Sequence, residues 1–120
     1  MKIAITAQDK EPAAQVDSRF GRAKFFFVVD TVSGETSVHD NVQNLNAAQG
    51  AGIQAGRNVA DLGVEGVVTG HVGPKAFKVL EAAGIKIYNG ATGTVKDTIQ
   101  QFKNGQLQCI DNPDVEGHWV

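Results

Sequence analysis

Residues 66–88 read GVVTGHVGPKAFKVLEAAGIKIY and contain two short apolar segments with a helical pattern between them. Residues 66–69 predict one buried strand, and residues 85–88 predict a second. Pro74 suits the first turn of the intervening helix, and Gly84 suits its end. A strand, a helix and a strand in this order predict parallel pairing through a right-handed crossover.

Three strands are predicted before this unit. Residues 2–6 form a short, apolar, β-branched segment that is typical of a buried strand. Residues 24–31 contain three consecutive phenylalanines and two valines and give the strongest strand signal in the chain. Ser33 and Gly34 then predict a turn, and residues 35–39 are expected to return as the second arm of a hairpin.

Two further helices complete the pattern. Residues 47–62 predict a helix, and Gly56 inside it costs up to about 1 kcal/mol relative to alanine, so we expect close packing on the sheet there. Val95, Ile99 and Phe102 have the i, i+4, i+7 spacing of a last helix. The order of elements predicts an α/β fold with a mixed five-stranded sheet and helices on both faces. Residues 107–110 are a candidate short edge strand.

The chain has 120 residues, which corresponds to one globular domain. We assign residues 1–110 to this domain and residues 111–120 to an acidic tail. No apolar run approaches the roughly 18 residues of a membrane span, and the start lacks the apolar stretch of a signal peptide, so a cytoplasmic protein is expected. The single cysteine, Cys109, excludes a metal cage built only from cysteines within one chain.

The charge balance argues against nucleic acid as a partner. The chain has 11 basic and 13 acidic residues, for a formal net charge of −2. Asp111, Asp114 and Glu116 lie in the tail, so the remainder has 11 basic against 10 acidic residues. Binding to duplex nucleic acid usually needs a basic face, and the sequence gives no sign of one.

Four loops are predicted to meet where the parallel strands end, which is where open α/β sheets bind ligands. Three of these loops lead into helix N-termini, near Ala47, at Pro74 and at Thr94. A helix N-terminus offers unpaired N–H groups and partial positive charge, and glycine lets a ligand approach the backbone. The loop glycines are Gly70, Gly73, Gly90 and Gly93. Together these features predict a site for an anion.

The loop after the first strand contains Ser18, Arg19, Phe20, Gly21 and Arg22 in succession. The two arginines would supply positive charge and several donors, Phe20 an apolar wall, and Gly21 close approach to the backbone. The remaining candidates for the binding site are Gln49, Gly50, Gly70, His71, Val72, Gly73 and Gly93.

Two other classes of function are open at this point. Asp9, Asp30 and Asp40 are a candidate carboxylate cluster for a metal-dependent phosphohydrolase or nuclease. A protein-interaction module would use the acidic tail and Trp119. No Gly-x-Ser-x-Gly elbow, Walker loop or His-Glu-x-x-His motif is present. His71 is the best-placed candidate metal ligand, while Cys109 is expected to lie away from the site.

Six short motifs, in this order and spacing, resemble the dinitrogenase iron–molybdenum cofactor accessory family, which includes NifX-like proteins, the carboxyl-terminal domain of NifB-like proteins and the orange protein. The likeness covers residues 1–107. The motifs are MKIAI at 1–5, RFGRA at 19–23, GAGI at 50–53, TGHVGPKA at 69–76, AGIKIY at 83–88 and GTV at 93–95.

The resemblance implies a ribonuclease-H-like three-layer fold and a non-enzymatic carrier of a metal–sulfur cluster. A protein partner would donate or receive the cluster. The free strand edge at residues 107–110 permits a dimer without requiring one, so a monomer or a weak dimer is expected. Arg19 and Gln49 stand where many family members have histidine. This difference favours electrostatic binding of a molybdenum–copper–sulfide cluster, as in the orange protein, over ligation of the iron–molybdenum cofactor or an iron–sulfur precursor.

Overall fold

The computed structural model describes residues 1–43 and 50–113. It contains six strands, three helices and one 3-10 turn. In chain order the elements are β1 (Lys2–Ala7), the 3-10 turn (Phe20–Arg22), β2 (Phe25–Asp30), β3 (Thr36–Asp40), α1 (Ala51–Ala60), β4 (Gly66–Val68), α2 (Pro74–Ala82), β5 (Lys86–Asn89), α3 (Val95–Lys103) and β6 (Gln108–Cys109).

The strands form one mixed sheet in the order β3-β2-β1-β4-β5-β6. The pairs β1–β4 and β4–β5 are parallel, as the strand–helix–strand pattern predicts. The hairpin of β2 and β3 extends the sheet on one side with antiparallel pairing. The predicted count of five strands is wrong, because Cys109 and Gln108 pair with Tyr88 and Asn89 and add a sixth strand.

Helices cover both faces of the sheet, as predicted. Alternate residues of a strand point to opposite faces, so the aromatic strand β2 contributes side chains to the core on each face of the sheet. Phe26 and Val28 pack with α1 and α2 on one face. Phe27 and Val29 lie in the opposite core layer, with residues of α3. Each fully buried side chain of this kind contributes roughly 1.5–3 kcal/mol of hydrophobic stabilisation.

Helix α1 begins later and ends earlier than the predicted range 47–62. Gly50 is extended, with φ −73° and ψ 169°, and therefore acts as the residue before the helix. The helix ends at Ala60, and Gly63 follows with φ +68°. Gly56 does mark close packing, but its neighbour is α2: a Cβ on Gly56 would lie 2.8 Å from Cγ1 of Val79.

Within residues 1–43 and 50–113, no helix is long and apolar enough to cross a membrane. The predicted tail falls largely outside the described residues, since only 111–113 of residues 111–120 are included. Trp119 and the acidic residues Asp114 and Glu116 lie outside them.

Candidate functional site

The chain reverses its direction of winding between β1 and β4. From β1 it proceeds to β2 on one side of the sheet, and from β4 it crosses through α2 to β5 on the other side. Loops that leave adjacent parallel strands in opposite directions open a crevice, which is the usual ligand position in open α/β sheets. We call the end of the sheet where β1, β4 and β5 finish the carboxyl edge.

Two of the predicted site segments meet at this edge. Residues Arg19 and His71 form a parallel bridge between the loops that follow β1 and β4. The N–H of His71 donates to the carbonyl oxygen of Ser18 at 2.8 Å, and the N–H of Phe20 donates to the carbonyl oxygen of His71 at 3.1 Å. The motifs at 18–22 and 70–73, which are about fifty residues apart in sequence, therefore form one backbone-bonded unit.

Gly70 is required for this contact. A Cβ at Gly70 would lie 2.6 Å from the carbonyl oxygen and 2.8 Å from the Cα of Ser18, closer than real Cβ atoms approach backbone. The Gly70 carbonyl oxygen also accepts from the N–H of Gly90 at 3.0 Å, which brings in the loop after β5. The glycine therefore joins three loops through close approach of their backbones.

Gly93 lies on the same third loop and has φ +85°, which favours glycine. Its carbonyl oxygen accepts from the N–H of Val16 at 2.9 Å, so the loop after β5 also contacts the loop after β1. Gly50 immediately precedes α1. Gln43 Nε2 donates to the carbonyl oxygens of Gly21 at 2.8 Å and Ala51 at 3.3 Å, and so ties the start of α1 to the 3-10 turn. Sequence reasoning missed this role of Gln43, because a polar residue in an irregular loop has no diagnostic pattern.

Arg19, which precedes the 3-10 turn, and Arg22, its last residue, are both exposed. Within residues 1–43 and 50–113, neither the Arg19 nor the Arg22 guanidinium has a hydrogen-bond or ion-pair partner. The backbone N–H of Arg19 is fixed by the Asp17 carboxylate, whose Oδ1 accepts at 3.0 Å. The positive groups are thus available to an anion, while the chain that carries them is held in place.

Phe20 and Val72 are fully buried and belong to the core layer under α1 and α2. The Phe20 ring lies 5.9 Å from the Phe26 ring, centroid to centroid. Their side chains therefore hold the two loops from beneath, whereas the sequence had suggested Phe20 as an apolar wall. Gly21 and Gly73 are also buried, and His71 is half-buried. Gln49 lies outside the described residues.

The expectation of three open helix N-termini is wrong for α3. The N–H groups of Val95 and Lys96 donate to the carbonyl oxygens of Ala14 and Pro12, each at 2.9 Å. The third, that of Asp97, donates to the side chain of Thr94 at 3.1 Å. The first turn of α3 is therefore occupied by the loop after β1. At α2, Gly73 precedes the helix with no side-chain cap and Pro74 takes the first position. The third predicted N-terminus, near Ala47, lies outside the described residues.

The carboxylate cluster proposed for a metal-dependent hydrolase does not assemble. Asp30 pairs with Lys2 at the amino end of β1, while Asp40 pairs with Phe25, which in turn pairs with Ala7 at the carboxyl end. Asp30 instead binds its own turn, because its Oδ1 accepts from the N–H of Val32 at 2.9 Å. Among the described residues, no group of three or more His, Cys, Asp or Glu side chains is placed to hold a metal ion.

Cys109 is exposed on the outermost strand β6, opposite Tyr88. Burial, and to a lesser degree the neighbouring Cys109, raises the pKa of Tyr88 above its usual value. The Tyr88 ring packs edge-on against Phe102, with centroids 5.0 Å apart. β6 is the outer margin of the sheet and lies three strands from β1, which leads into residues 18–22.

Residues 1–105 match the model of the dinitrogenase iron–molybdenum cofactor family. The apo form of the orange protein from Desulfovibrio gigas is 39% identical, with a TM-score of 0.89 over 95% of this chain and 96% of that one. A NifB-like protein of the DUF35 family from Thermotoga is 34% identical, with a TM-score of 0.81 over 97% and 98%. An uncharacterized protein from Methanocaldococcus jannaschii is 28% identical over 92% of both chains.

Proposed function

This chain belongs to the dinitrogenase iron–molybdenum cofactor family, and from that membership we propose that it is a non-enzymatic carrier of an anionic, molybdenum-containing metal–sulfur cluster. The observation that carries the proposal is the exposure of Arg19 and Arg22 in the connection from β1 to β2, which bonds to the loop after β4. Among residues 1–43 and 50–113, neither guanidinium group has a hydrogen-bond or ion-pair partner. The similarity to the orange protein supports the same reading.

The chemistry of the cargo suits these groups. A thiomolybdate anion brings its own sulfides, so it does not need cysteine thiolates from the protein. Sulfide and oxide atoms accept hydrogen bonds from guanidinium and backbone N–H groups, and charged partners strengthen such bonds. Arg19 and Arg22 would supply the charge. Gly93 is exposed and would let the cargo approach the backbone, whereas Gly21, Gly70 and Gly73 are buried and shape the loops that carry the arginines. His71 is half-buried and is the candidate side chain for contact with a metal.

We propose molybdenum, copper and sulfide as the components of the cluster. Arg19 and Gln49 stand where many members of the family have histidine, and this difference supports mainly electrostatic binding over direct ligation of a metal. The iron–molybdenum cofactor or an iron–sulfur precursor is the second candidate, which the family's own description favours. We also propose that another protein donates or receives the cluster and that this chain is cytoplasmic. It would be a monomer or a weak dimer, with a ribonuclease-H-like fold.

The test is a titration of the apo protein with tetrathiomolybdate, with and without copper, followed by visible absorption and gel filtration. We expect a coloured species that co-elutes with the protein at a fixed stoichiometry. Binding that requires iron would favour the second candidate. If no coloured species co-elutes under any of these conditions, the carrier role is wrong.

A matched pair of variants tests whether the cluster is bound electrostatically at the carboxyl edge. Arg19→Glu reverses one charge at the carboxyl edge and is expected to abolish uptake. Arg57→Glu makes the same change at an exposed residue in the last turn of α1 and is expected to leave uptake unchanged. Retained uptake in Arg19→Glu, or equal loss in both variants, would contradict electrostatic binding at this edge.

A further inference from the structure

Two buried threonines lie directly beneath the loop that leads into residues 18–22. Thr6 is in β1 and Thr69 immediately follows β4, so they flank the crevice at its base. Both are fully buried, and their Oγ1 atoms are 2.8 Å apart. A buried hydroxyl in an apolar sheet is unfavourable unless it is hydrogen-bonded, so this pair is expected to have a specific partner.

That partner is the backbone of Asp17. Thr6 Oγ1 donates to the carbonyl oxygen of Asp17 at 2.8 Å, and Thr69 Oγ1 lies 3.5 Å from the same oxygen. The N–H of Asp17 donates to the carbonyl oxygen of Thr6 at 2.9 Å. Thr6 therefore holds both polar groups of the Asp17 backbone, one through its main chain and one through its side chain.

The hydroxyl pair has a definite internal arrangement. Each hydroxyl has one hydrogen to donate and can also accept. When Thr6 donates to the Asp17 carbonyl, it accepts from Thr69, and this arrangement uses the two 2.8 Å contacts. The alternative, in which Thr6 donates to Thr69 and Thr69 to Asp17, depends on the longer 3.5 Å contact. The first arrangement makes Thr6 the direct anchor and Thr69 its support.

Asp17 transmits this anchoring to the site. Its carboxylate accepts the backbone N–H of Arg19, and the next residue, Ser18, accepts the N–H of His71. Thr69 itself binds the third loop, because its carbonyl oxygen accepts from the N–H of Ala91 at 3.1 Å. The three loops of the carboxyl edge thus share one buried polar anchor.

We propose that the Thr6–Thr69 hydroxyl pair is the positioning device of the binding site and sets the place of Arg19 and His71 before any ligand arrives. The inference rests on the proposed function for its consequence, which is tighter cluster binding. Its structural part, the anchoring of Asp17 and Arg19, stands without that function. Pre-organisation of this kind favours binding because less conformational freedom is lost when the ligand is held.

Thr6→Val tests the device, since valine keeps the β-branched shape and removes the hydroxyl. We expect amide hydrogen exchange at Arg19 and His71 to accelerate by roughly two- to tenfold relative to the core strand β4, as for loss of one hydrogen bond. Tetrathiomolybdate affinity should fall over a similar range. Thr6→Ser restores the hydroxyl and should restore both the exchange rates and the affinity.

Thr98→Val is the matched control. Thr98 is also fully buried, yet among the described residues its hydroxyl has no hydrogen-bond partner. The same substitution there should leave exchange at Arg19 and tetrathiomolybdate affinity unchanged. If Thr6→Val behaves like Thr98→Val, the proposal is overturned. If Thr6→Val accelerates exchange and Thr6→Ser restores it, but tetrathiomolybdate does not bind the parent protein, the positioning inference stands and the proposed function fails.

Discussion

Gly70 and Ser18 are in backbone contact across the crevice between β1 and β4. The N–H of the residue after Gly70 donates to the Ser18 carbonyl oxygen at 2.8 Å, and a Cβ on Gly70 would lie 2.6 Å from that same oxygen. The loop that carries the arginines therefore rests on a surface that only glycine provides. This contact places Arg19 and His71 side by side.

Gly70→Ala should displace the arginine loop. The added methyl group meets backbone, which cannot move aside as a flexible side chain would, so we expect a loss of about 1–3 kcal/mol in the free energy of unfolding. Urea denaturation measures it. Ser18→Ala changes only the exposed side chain of the other partner and should stay within about 0.5 kcal/mol. Equal stability of Gly70→Ala and the parent protein would show that the contact is not as close as described.

Thr98→Val should stabilise the protein. The Thr98 hydroxyl is buried in α3 and, within residues 1–43 and 50–113, has no hydrogen-bond partner. Leaving such a group unsatisfied costs about 1–3 kcal/mol, and valine removes it with little change of shape. We expect the free energy of unfolding to rise by about 1 kcal/mol in urea denaturation. A fall of similar size would reveal a partner for this hydroxyl.

Asp30 should titrate below the ordinary range of an aspartate. Hydrogen bonds from the N–H groups of Val32 and Ser33 hold its pKa below 3.8. Because the folded pKa is depressed, the ionised carboxylate stabilises the β2–β3 turn above the unfolded pKa. That contribution disappears as the pH falls through the folded pKa. An NMR titration of the Asp30 carboxyl gives the midpoint, and a value at or above 3.8 would contradict the turn geometry.

Blocking Cys109 should leave cluster uptake intact. The thiol is exposed on β6, at the outer margin of the sheet, and the proposed cargo is held by arginines and backbone. Alkylation with iodoacetamide, or Cys109→Ser, should therefore not change the stoichiometry of tetrathiomolybdate binding. Loss of uptake in both modified forms would mean that a thiolate ligand holds the cluster.

The parts of the fold that local patterns determine could be predicted from sequence. Residues 66–88 predicted the parallel β4-α2-β5 unit correctly. Their signals are local: two apolar runs mark the strands, and Pro74 and Gly84 mark the start and the end of the helix. The candidate edge strand at residues 107–110 is confirmed as β6, but it was left out of the count of the sheet because Gln108–Cys109 is too short to show alternation. The start of α1 was placed too early because the extended conformation of Gly50 interrupts a sequence that has good helix formers on both sides.

The residue types of the candidate site could be predicted from the sequence, but their arrangement in space could be predicted only in part. Arg19 and the loop glycines stood out as residue types that bind anions. Phe20 is buried because it packs against Phe26. An irregular loop has no periodic pattern from which such burial could be predicted. The Thr6–Thr69 contact joins residues 63 positions apart, and the closed N-terminus of α3 depends on a loop some eighty residues upstream. Such contacts arise from tertiary folding and leave no local signal.

The most direct test of the central claim is a map of amide chemical shifts recorded while tetrathiomolybdate and copper are added to the protein. We predict that the largest changes occur at Arg19, Arg22, Gly70 and His71, at the carboxyl edge, in proportion to the coloured species formed. Changes confined to the margin around Cys109 and β6, with the arginine loop unaffected, would contradict the account.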